Sequence, residues 1–538
     1  MKRTRGTLQI VLMIVAIFAL GCVEPVPAAK DVKEAPKKVD AVQPAEKQAE
    51  KPAEEPAVKP AEKPAEEPVE KPVEKPVAEP VEKPVEKPVE KPVANPADEV
   101  RKVIEKAVDH AVDSASGKTG PVNVKIVPQY ELVKAGEETT LNVLVRLTAD
   151  KVAATQRSPM DLAIVIDRSG SMRGDKMRQV KQAAMDLVSK LDRTDRVTLI
   201  TYASDVMVLD RRLPMDEPAR EALRNKISIL WAGGSTALGP ALFDGLDILE
   251  KAEREETDIA HVLMFSDGIA NVGESRAEVL AARTGKAFAN GVSVTTLGVG
   301  LDYNEDLMTR LADQGGGRYH FIKDAESIAG VLNDEFGGLS ATVARSMVLT
   351  FKSNDGIKLD RVFGYPTWEE DNETRIKVGT LYAGQTREIL LRLKVTPAGM
   401  EKLALGDLSL KFADLSQYGE KLSGKYGVAV GISEDGSKVR ESENTEVTIR
   451  VAEVESAEAM DKAARAVDRG DWHAARTIID NNIGSLRRQK EATPSARLDT
   501  QLQEMEDSAG GLGAAESSAE ERKVFIKSKK AGSYDLMK

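Results

Sequence analysis

The 538-residue sequence holds a single cysteine, Cys22, and only four histidines. With no second thiol, no intrachain disulfide can staple a small fold. Scattered histidines, with neither an HExxH spacing nor a cysteine pair, remove the usual zinc arrangements. Aromatic residues make up 4% of the chain, too few for stacking platforms that read bases or sugars. Positive charge is in deficit as well. Against 76 Lys and Arg stand 87 Asp and Glu, a formal net charge of −11, which argues against a nucleic-acid partner gripped through its phosphates. The apolar run at residues 8–20 is shorter than a bilayer span. What is present, at 41% hydrophobic content, suffices to build the cores of two or three domains.

Lys2, Arg3 and Arg5 followed by that short apolar run read as a secretory signal, residues 1–21. The run closes on "FALGCV", which resembles the lipobox of bacterial lipoproteins, with Ala19 where the motif usually has Leu. The resemblance implies acylation of Cys22 as the mature N terminus, and so a lipid anchor in the bacterial cell envelope. Each buried methylene of such an anchor contributes about 0.8 kcal/mol. Val23 stands where an Asp often signals inner-membrane retention in enterobacterial lipoproteins, so the outer membrane is expected, on its periplasmic or surface face. Residues 22–97 are almost purely Ala, Val, Glu, Lys and Pro, with proline at every fourth position through much of 69–96. Proline removes backbone donors and fixes φ, so this is expected to be a disordered, extended spacer, roughly 200 Å at full stretch.

Residues 98–120 read as a short helix and linker. After them the pattern turns to period two: Val122, Val124 and Ile126, then Leu141, Val143, Val145 and Leu147. The same alternation returns downstream at Leu349 and Phe351, at Ile389, Leu391 and Leu393, at Leu408 and Leu410, and at Val447, Ile449 and Val451. Residues 121–158 and 343–453 are therefore expected to form one antiparallel β-sandwich, interrupted by an insert at 159–342. In the insert, strand-like runs at 162–166, 197–202, 261–265, 292–297 and 318–321 alternate with helical stripes such as Met177, Val180, Ala184, Leu187 and Val188. That alternation predicts an α/β fold, a doubly wound and mostly parallel sheet covered on both faces. Residues 454–510 read as a helical hairpin turning at Gly470-Asp471, and 511–538 as a frayed tail.

The strand ends of the insert carry the chemistry, since ligands in such sheets bind beyond the carboxyl ends of the strands. "LAIVIDRSGSM" ends a buried strand in Asp167, Ser169 and Ser171, an oxygen side chain at every second position. "WAGGSTALGPAL" places Thr236 just before a helix, and "HVLMFSDGIAN" ends another strand in Asp267. This set resembles the metal-ion-dependent adhesion site of von Willebrand factor A domains, closest to the branch containing the inter-alpha-trypsin inhibitor heavy chains and bacterial relatives. The resemblance implies that Ser169 and Ser171 bind a metal directly, Thr236 directly or through water, and Asp167 and Asp267 largely through water. An all-oxygen donor set suits Mg²⁺ or Mn²⁺ ahead of Ca²⁺. A coordination position left open would take an acidic side chain from a protein partner. The expected function is that of a lipid-anchored, exported binding protein for adhesion or envelope scaffolding. The alternative is an adaptor or assembly factor for an envelope ATPase or protease system. No catalytic nucleophile or base is in place, so no enzyme is expected.

Overall fold

The computed structural model describes residues 115–151, 157–397 and 402–538; the signal segment, Cys22, the spacer and residues 98–114 lie outside the described residues. Before the insert come β1 (Ser116–Thr119), β2 (Val122–Pro128), β3 (Leu132–Lys134) and β4 (Thr139–Ala149). The insert runs β5 (Met160–Asp167), α1 (Asp175–Ser189), β6 (Arg196–Tyr202), β7 (Val206–Pro214), α2 (Glu217–Ser228), α3 (Leu238–Glu250), β8 (Ile259–Ser266), α4 (Ala277–Ala289), β9 (Val292–Val299), α5 (Glu305–Gln314), β10 (Gly316–Ile322) and α6 (Ile328–Ser340). After it come β11 (Thr342–Ser353), β12 (Ile357–Val362), β13 (Thr367–Glu370), β14 (Glu373–Tyr382), β15 (Thr386–Val395), β16 (Lys402–Asp414) and β17 (Glu420–Ser433). The chain ends in helices α7 (Gly436–Glu441), α8 (Thr445–Asp468), α9 (Trp472–Ala492), α10 (Ala496–Ser517) and α11 (Ala519–Met537).

The insert's sheet has the order β10-β9-β8-β5-β6-β7, parallel except for the edge strand β7. All eight residues of β5 and of β8 are buried, as a central strand covered by helices on both faces requires. Two further sheets, β1-β2-β4-β15-β12 and β13-β14-β11-β16-β17-β3, share one apolar core that includes Val124, Val143 and Leu391 from the first and Leu349, Phe351 and Leu410 from the second. They form the expected sandwich, antiparallel apart from the β17–β3 pair.

Two expectations at the C-terminal end are corrected. Val447, Ile449 and Val451 alternate like a strand but lie in α8, where nearly every face is buried. Val447 and Val451 pack on Leu144 and Leu390 of the sandwich, while Ile449 and Ala452 face the cluster shared with α9, α10 and α11. A helix covered all round loses its polar stripe, so its sequence no longer shows a period of 3.6. Residues 511–538 are not a frayed tail either; they complete α10 and form α11. Ser518 caps α11, its hydroxyl accepting from the Glu521 amide at 3.3 Å, and Phe525 and Ile526 join the helical cluster. Just before β2, Ser116–Thr119 pairs with it as a strand where a linker was expected. Asp175 is the first residue of α1, capped by Gly174, and pairs with Arg178 at 2.7 Å. Among the described residues, no helix is long and apolar enough to cross a membrane.

A buried carboxylate fixes α6 against the insert's sheet. Glu335 accepts from the Thr295 hydroxyl at 2.6 Å, lies 3.2 Å from His320 Nε2 and 3.7 Å from His261 Nε2. Burial works to raise the Glu335 carboxyl, but His320, His261 and Thr295 outweigh it and hold it at about 2. Burial depresses His261 to about 4 despite the pull of Glu335. Both shifts point the same way. The unfolded chain binds the extra protons, so stability is full above about pH 6.5 and is lost as pH falls, first through His261 and then through Glu335. His261 alone accounts for roughly 3 kcal/mol of that loss by pH 4. We expect His261→Asn to flatten the pH dependence of the denaturation midpoint between pH 6.5 and 4. An unchanged slope would contradict a neutral buried imidazole.

Candidate functional site

Three loops meet beyond the carboxyl ends of β5, β6 and β8. The first leaves β5 at Asp167 and passes through a 3₁₀ turn at Gly170–Met172 into α1. The second runs from α2 to α3 through Gly233, Gly234 and Thr236. The third follows β8 through Asp267 and Gly268. Backbone bonds stitch the first two together: the Gly170 amide donates to the Gly234 carbonyl at 2.9 Å, and the Gly233 amide to the Arg168 carbonyl at 2.7 Å. Gly234 holds φ at +91°, and a Cβ there would come within 2.8 Å of the Ser204 hydroxyl.

All five residues singled out in the sequence come together here. Asp167 is sealed from solvent. Its Oδ1 accepts from the Ser169 amide at 2.8 Å and its Oδ2 from the Ser266 hydroxyl at 3.0 Å. The Ser169 and Ser171 hydroxyls are 3.1 Å apart, and Ser171 donates to Asp267 Oδ1 at 2.7 Å. Thr236 closes the set from the second loop, with its amide bound to Asn271 Oδ1 at 2.8 Å. A Cβ placed on Gly268 would lie 3.2 Å from Thr236 Oγ1 and 3.5 Å from Ser171 Oγ, so both hydroxyls crowd the space that this glycine leaves free.

The electrostatics suit a cation. Burial pushes the Asp167 carboxyl up to about 6, and the charge of Asp267 adds to the rise, against hydrogen bonds from Ser169 and Ser266. Asp267, equally sealed, is paired to Lys176 through its Oδ2 at 2.6 Å. The donor set is two carboxylates and three hydroxyls, all oxygen, which fits a hard divalent ion. Among the described residues there is no cluster of three or more His, Cys, Asp or Glu that could hold a metal, so the hydroxyls are indispensable to any such site.

Sequence reasoning missed several members. Ser266 was visible within "FSDG" but carried no assigned role, and Lys176 is the second residue of α1, where a helix start faces the strand ends. The apolar rim went unread altogether. Trp231 (68% exposed) and Ile229 (76%) lie in the α2–α3 loop, Ile269 (61%) follows Gly268, and Met207 (43%) is the second residue of β7, beside Arg168. The Arg168 guanidinium spans this rim, 5.7 Å above the Trp231 ring and bonded to Asp205 at 2.6 Å.

Comparison with known families matches residues 161–334 to the von Willebrand factor type A domain. The insert is a von Willebrand factor type A domain. The chain is 30% identical over 293 residues to YfbK of Escherichia coli (strain K12), covering 51% of this chain and 49% of that protein. It is 30% identical over 164 residues to human inter-alpha-trypsin inhibitor heavy chain H3, covering 30% of this chain and 18% of that one. The chain thus spans about half the length of the bacterial relative and less than a fifth of the human one. Among solved structures, a von Willebrand factor type A protein from Catenulispora acidiphila aligns with a TM-score of 0.59 at 18% identity, over 74% of this chain and 91% of that one. The VWA2 protein from Sulfolobus acidocaldarius aligns with a TM-score of 0.50 at 16% identity, over 77% and 99%. These two share the fold well beyond the A domain itself.

Proposed function

We propose that this protein is an exported binding protein whose A domain grips a protein partner through a divalent cation, Mg²⁺ or Mn²⁺, held by Asp167, Ser169, Ser171, Thr236 and Asp267. The observation that carries the reading is the convergence of three hydroxyls and two sealed carboxylates at one rim of the sheet. A cation there would supply an electrophilic point for an acidic side chain of the partner. This chain's part is to aim three neutral hydroxyls, of which Ser171 is exposed and Ser169 and Thr236 are buried, at the ion and keep both carboxylates behind them, so that charge on the ion is not fully cancelled from within. A-domain proteins are in general binding modules rather than catalysts, and nothing beside these oxygens offers a nucleophile with a base. Acylated Cys22 would tether the domain to the envelope, at the outer membrane, on its long spacer. The test is calorimetric titration of the full chain with Mg²⁺ and Mn²⁺, beside Thr236→Ala. We expect saturable binding that weakens in the variant; identical isotherms would remove Thr236 from the site.

The rim sharpens the partner's chemistry. Exposed apolar groups ringed by polar loops mark protein contacts, and Trp and Arg dominate the energy of such contacts. The expected partner therefore offers a carboxylate flanked by apolar side chains. With a peptide carrying one aspartate between leucine and phenylalanine as probe, Trp231→Ala should weaken binding about tenfold while leaving the Mg²⁺ isotherm unchanged. Equal peptide affinity in both proteins would rule the rim out of the interface.

A further inference from the structure

At the pole of the A domain opposite these loops, a cleft of about 550 Å³ opens between the A domain and the sandwich. Its walls are the α3–β8 loop, the α4–β9 turn, and strands β11, β16 and β17. Four cationic side chains line it, one from each of four segments: Arg254, Arg345, Lys411 and Lys421. The acidic side chains lining it are Glu255 and Glu256, and Glu256 reaches Arg345 only at 3.5 Å.

The chain holds Arg345 here with some effort. β11 bulges at this point, slipping register against both β14 and β16, and Ser346 adopts φ +52°, a left-handed conformation unusual for serine. The bulge turns Arg345 toward the A domain, where it donates to the carbonyls of Glu256 at 2.6 Å and Asp258 at 3.1 Å. Strained backbone of this kind gathers at functional positions. Its Nε, and that of Arg254, are buried without a hydrogen-bond partner among the described residues. No ion pair within 4.0 Å reaches Arg254, Lys411 or Lys421 among those residues. Burial depresses both arginines, and the charge of Arg254 depresses Arg345 further. Asp161, Asp258 and Glu250 pull on Arg254 from the A-domain side without closing to an ion pair, and Glu256 and Asp258 pull on Arg345. Two half-buried guanidinium groups and two exposed ammonium groups thus face one opening whose own acidic lining is Glu255 and Glu256.

We propose that this cleft is a binding site for an oxoanion, a phosphate, sulfate or carboxylate group carried by a small molecule. The planar guanidinium fork matches all three groups, and the volume suits a small ligand rather than a protein segment. The site draws on both the A domain and the sandwich, so its ligand would bridge them. It is independent of the metal reading, since none of its residues belongs to the opposite pole.

The test uses the full chain in metal-free buffer at constant ionic strength, titrated with inorganic phosphate, sulfate and succinate. At least one should bind saturably and raise the melting temperature, and the strongest of the three identifies the group. Arg345→Gln and Arg254→Gln should each weaken that binding about tenfold or more. Without anion, Arg254→Gln should melt no lower than the parent, because it removes a half-buried charge that no carboxylate closes on as an ion pair. Arg345 also ties down two carbonyls, so Lys421→Gln serves as a second probe in case Arg345→Gln melts early. Absence of saturable binding by all three anions, or binding untouched by the substitutions, would overturn the proposal. So would a lower melting point for Arg254→Gln, which would make that guanidinium a structural partner of its own domain.

Discussion

If the proposed cation site is correct, Asp167→Asn should abolish divalent-cation binding and leave the fold at least as stable as before. Asparagine keeps the size of the side chain and an acceptor for the Ser169 amide, while its NH2 takes the place of the oxygen that accepts from the Ser266 hydroxyl, so that bond must reverse with Ser266 as acceptor. It removes the charge and turns one acceptor into a donor, which the rotatable Ser266 hydroxyl can accommodate. That charge is sealed from water, faces a second buried carboxylate in Asp267, and has no cationic side chain bonded to it; the one lysine at the site, Lys176, is committed to Asp267. In the absence of metal, neutralising it relieves a desolvation penalty and costs no packing. In the presence of metal, the expected loss is at least about a hundredfold in affinity, roughly 2.7 kcal/mol. The stabilisation that saturating metal confers by mass action, of similar size at a concentration of about 100 Kd, should vanish with it. Melting curves with and without Mg²⁺, on parent and variant, separate the two effects. A variant that keeps its Mg²⁺-dependent shift would place the cation elsewhere, and one that melts lower without metal would show that the carboxylate has a structural role.

Lys527→Met should release the last helix. Lys527 is buried on α11, yet its Nζ donates to the Tyr303 carbonyl and to Glu305 Oε2, both at 2.7 Å, and sits 4.0 Å over the Tyr303 ring. Burial alone would raise the Glu305 carboxyl, but Lys527 and Lys530 together hold it at about 2. Burial lowers Lys527 itself, since one shared carboxylate repays only part of its desolvation. The contact is therefore worth little against a hydrophobic pair and much against a broken one. Methionine leaves Glu305 with Lys530 alone and the Tyr303 carbonyl without this donor. We expect a cost of about 3 kcal/mol, read as roughly a hundredfold loss of amide protection in α11 by hydrogen exchange. Protection equal to the parent's would mean that Phe525, Ile526 and Tyr534 hold the helix without the ion pairs.

These two sites differ in how far the sequence revealed them. The Asp167 loop was legible because its five oxygens fall in three short segments, each directly after or before an element whose apolar pattern is strong. β5 and β8 are apolar over most of their length, and α3 starts two residues past Thr236. The mostly parallel sheet of the insert followed from alternation of strand and helix. The edge strand β7 was missed because it is only half buried and carries charged residues through its middle. The role of α11 was hidden for another reason. Lys527 and Lys530 look like solvated charges until Glu305 and Asp306, more than 200 residues earlier, are brought beside them. Only the Ser518–Glu521 spacing marked a helix start there. The strand-like reading of Val447, Ile449 and Val451 failed because α8 is wrapped by the sandwich on one side and three helices on the other.

The placement of the A domain also sets a timetable for synthesis. β4 finds its second neighbour in β15, with Thr148 opposite Thr386 and ten residues paired along the ladder. When β4 leaves the ribosome, that neighbour does not yet exist, and every strand and helix of the A domain must be made before it does. Closing so long a loop early gains nothing, whereas β5, β6 and β8 meet partners within their own stretch of chain. We therefore expect the inserted domain to fold first, as a passenger on an open three-stranded ribbon of β1, β2 and β4. The sandwich can shut only once the finished domain has brought its two ends together, which makes the insert the template on which its own host is assembled.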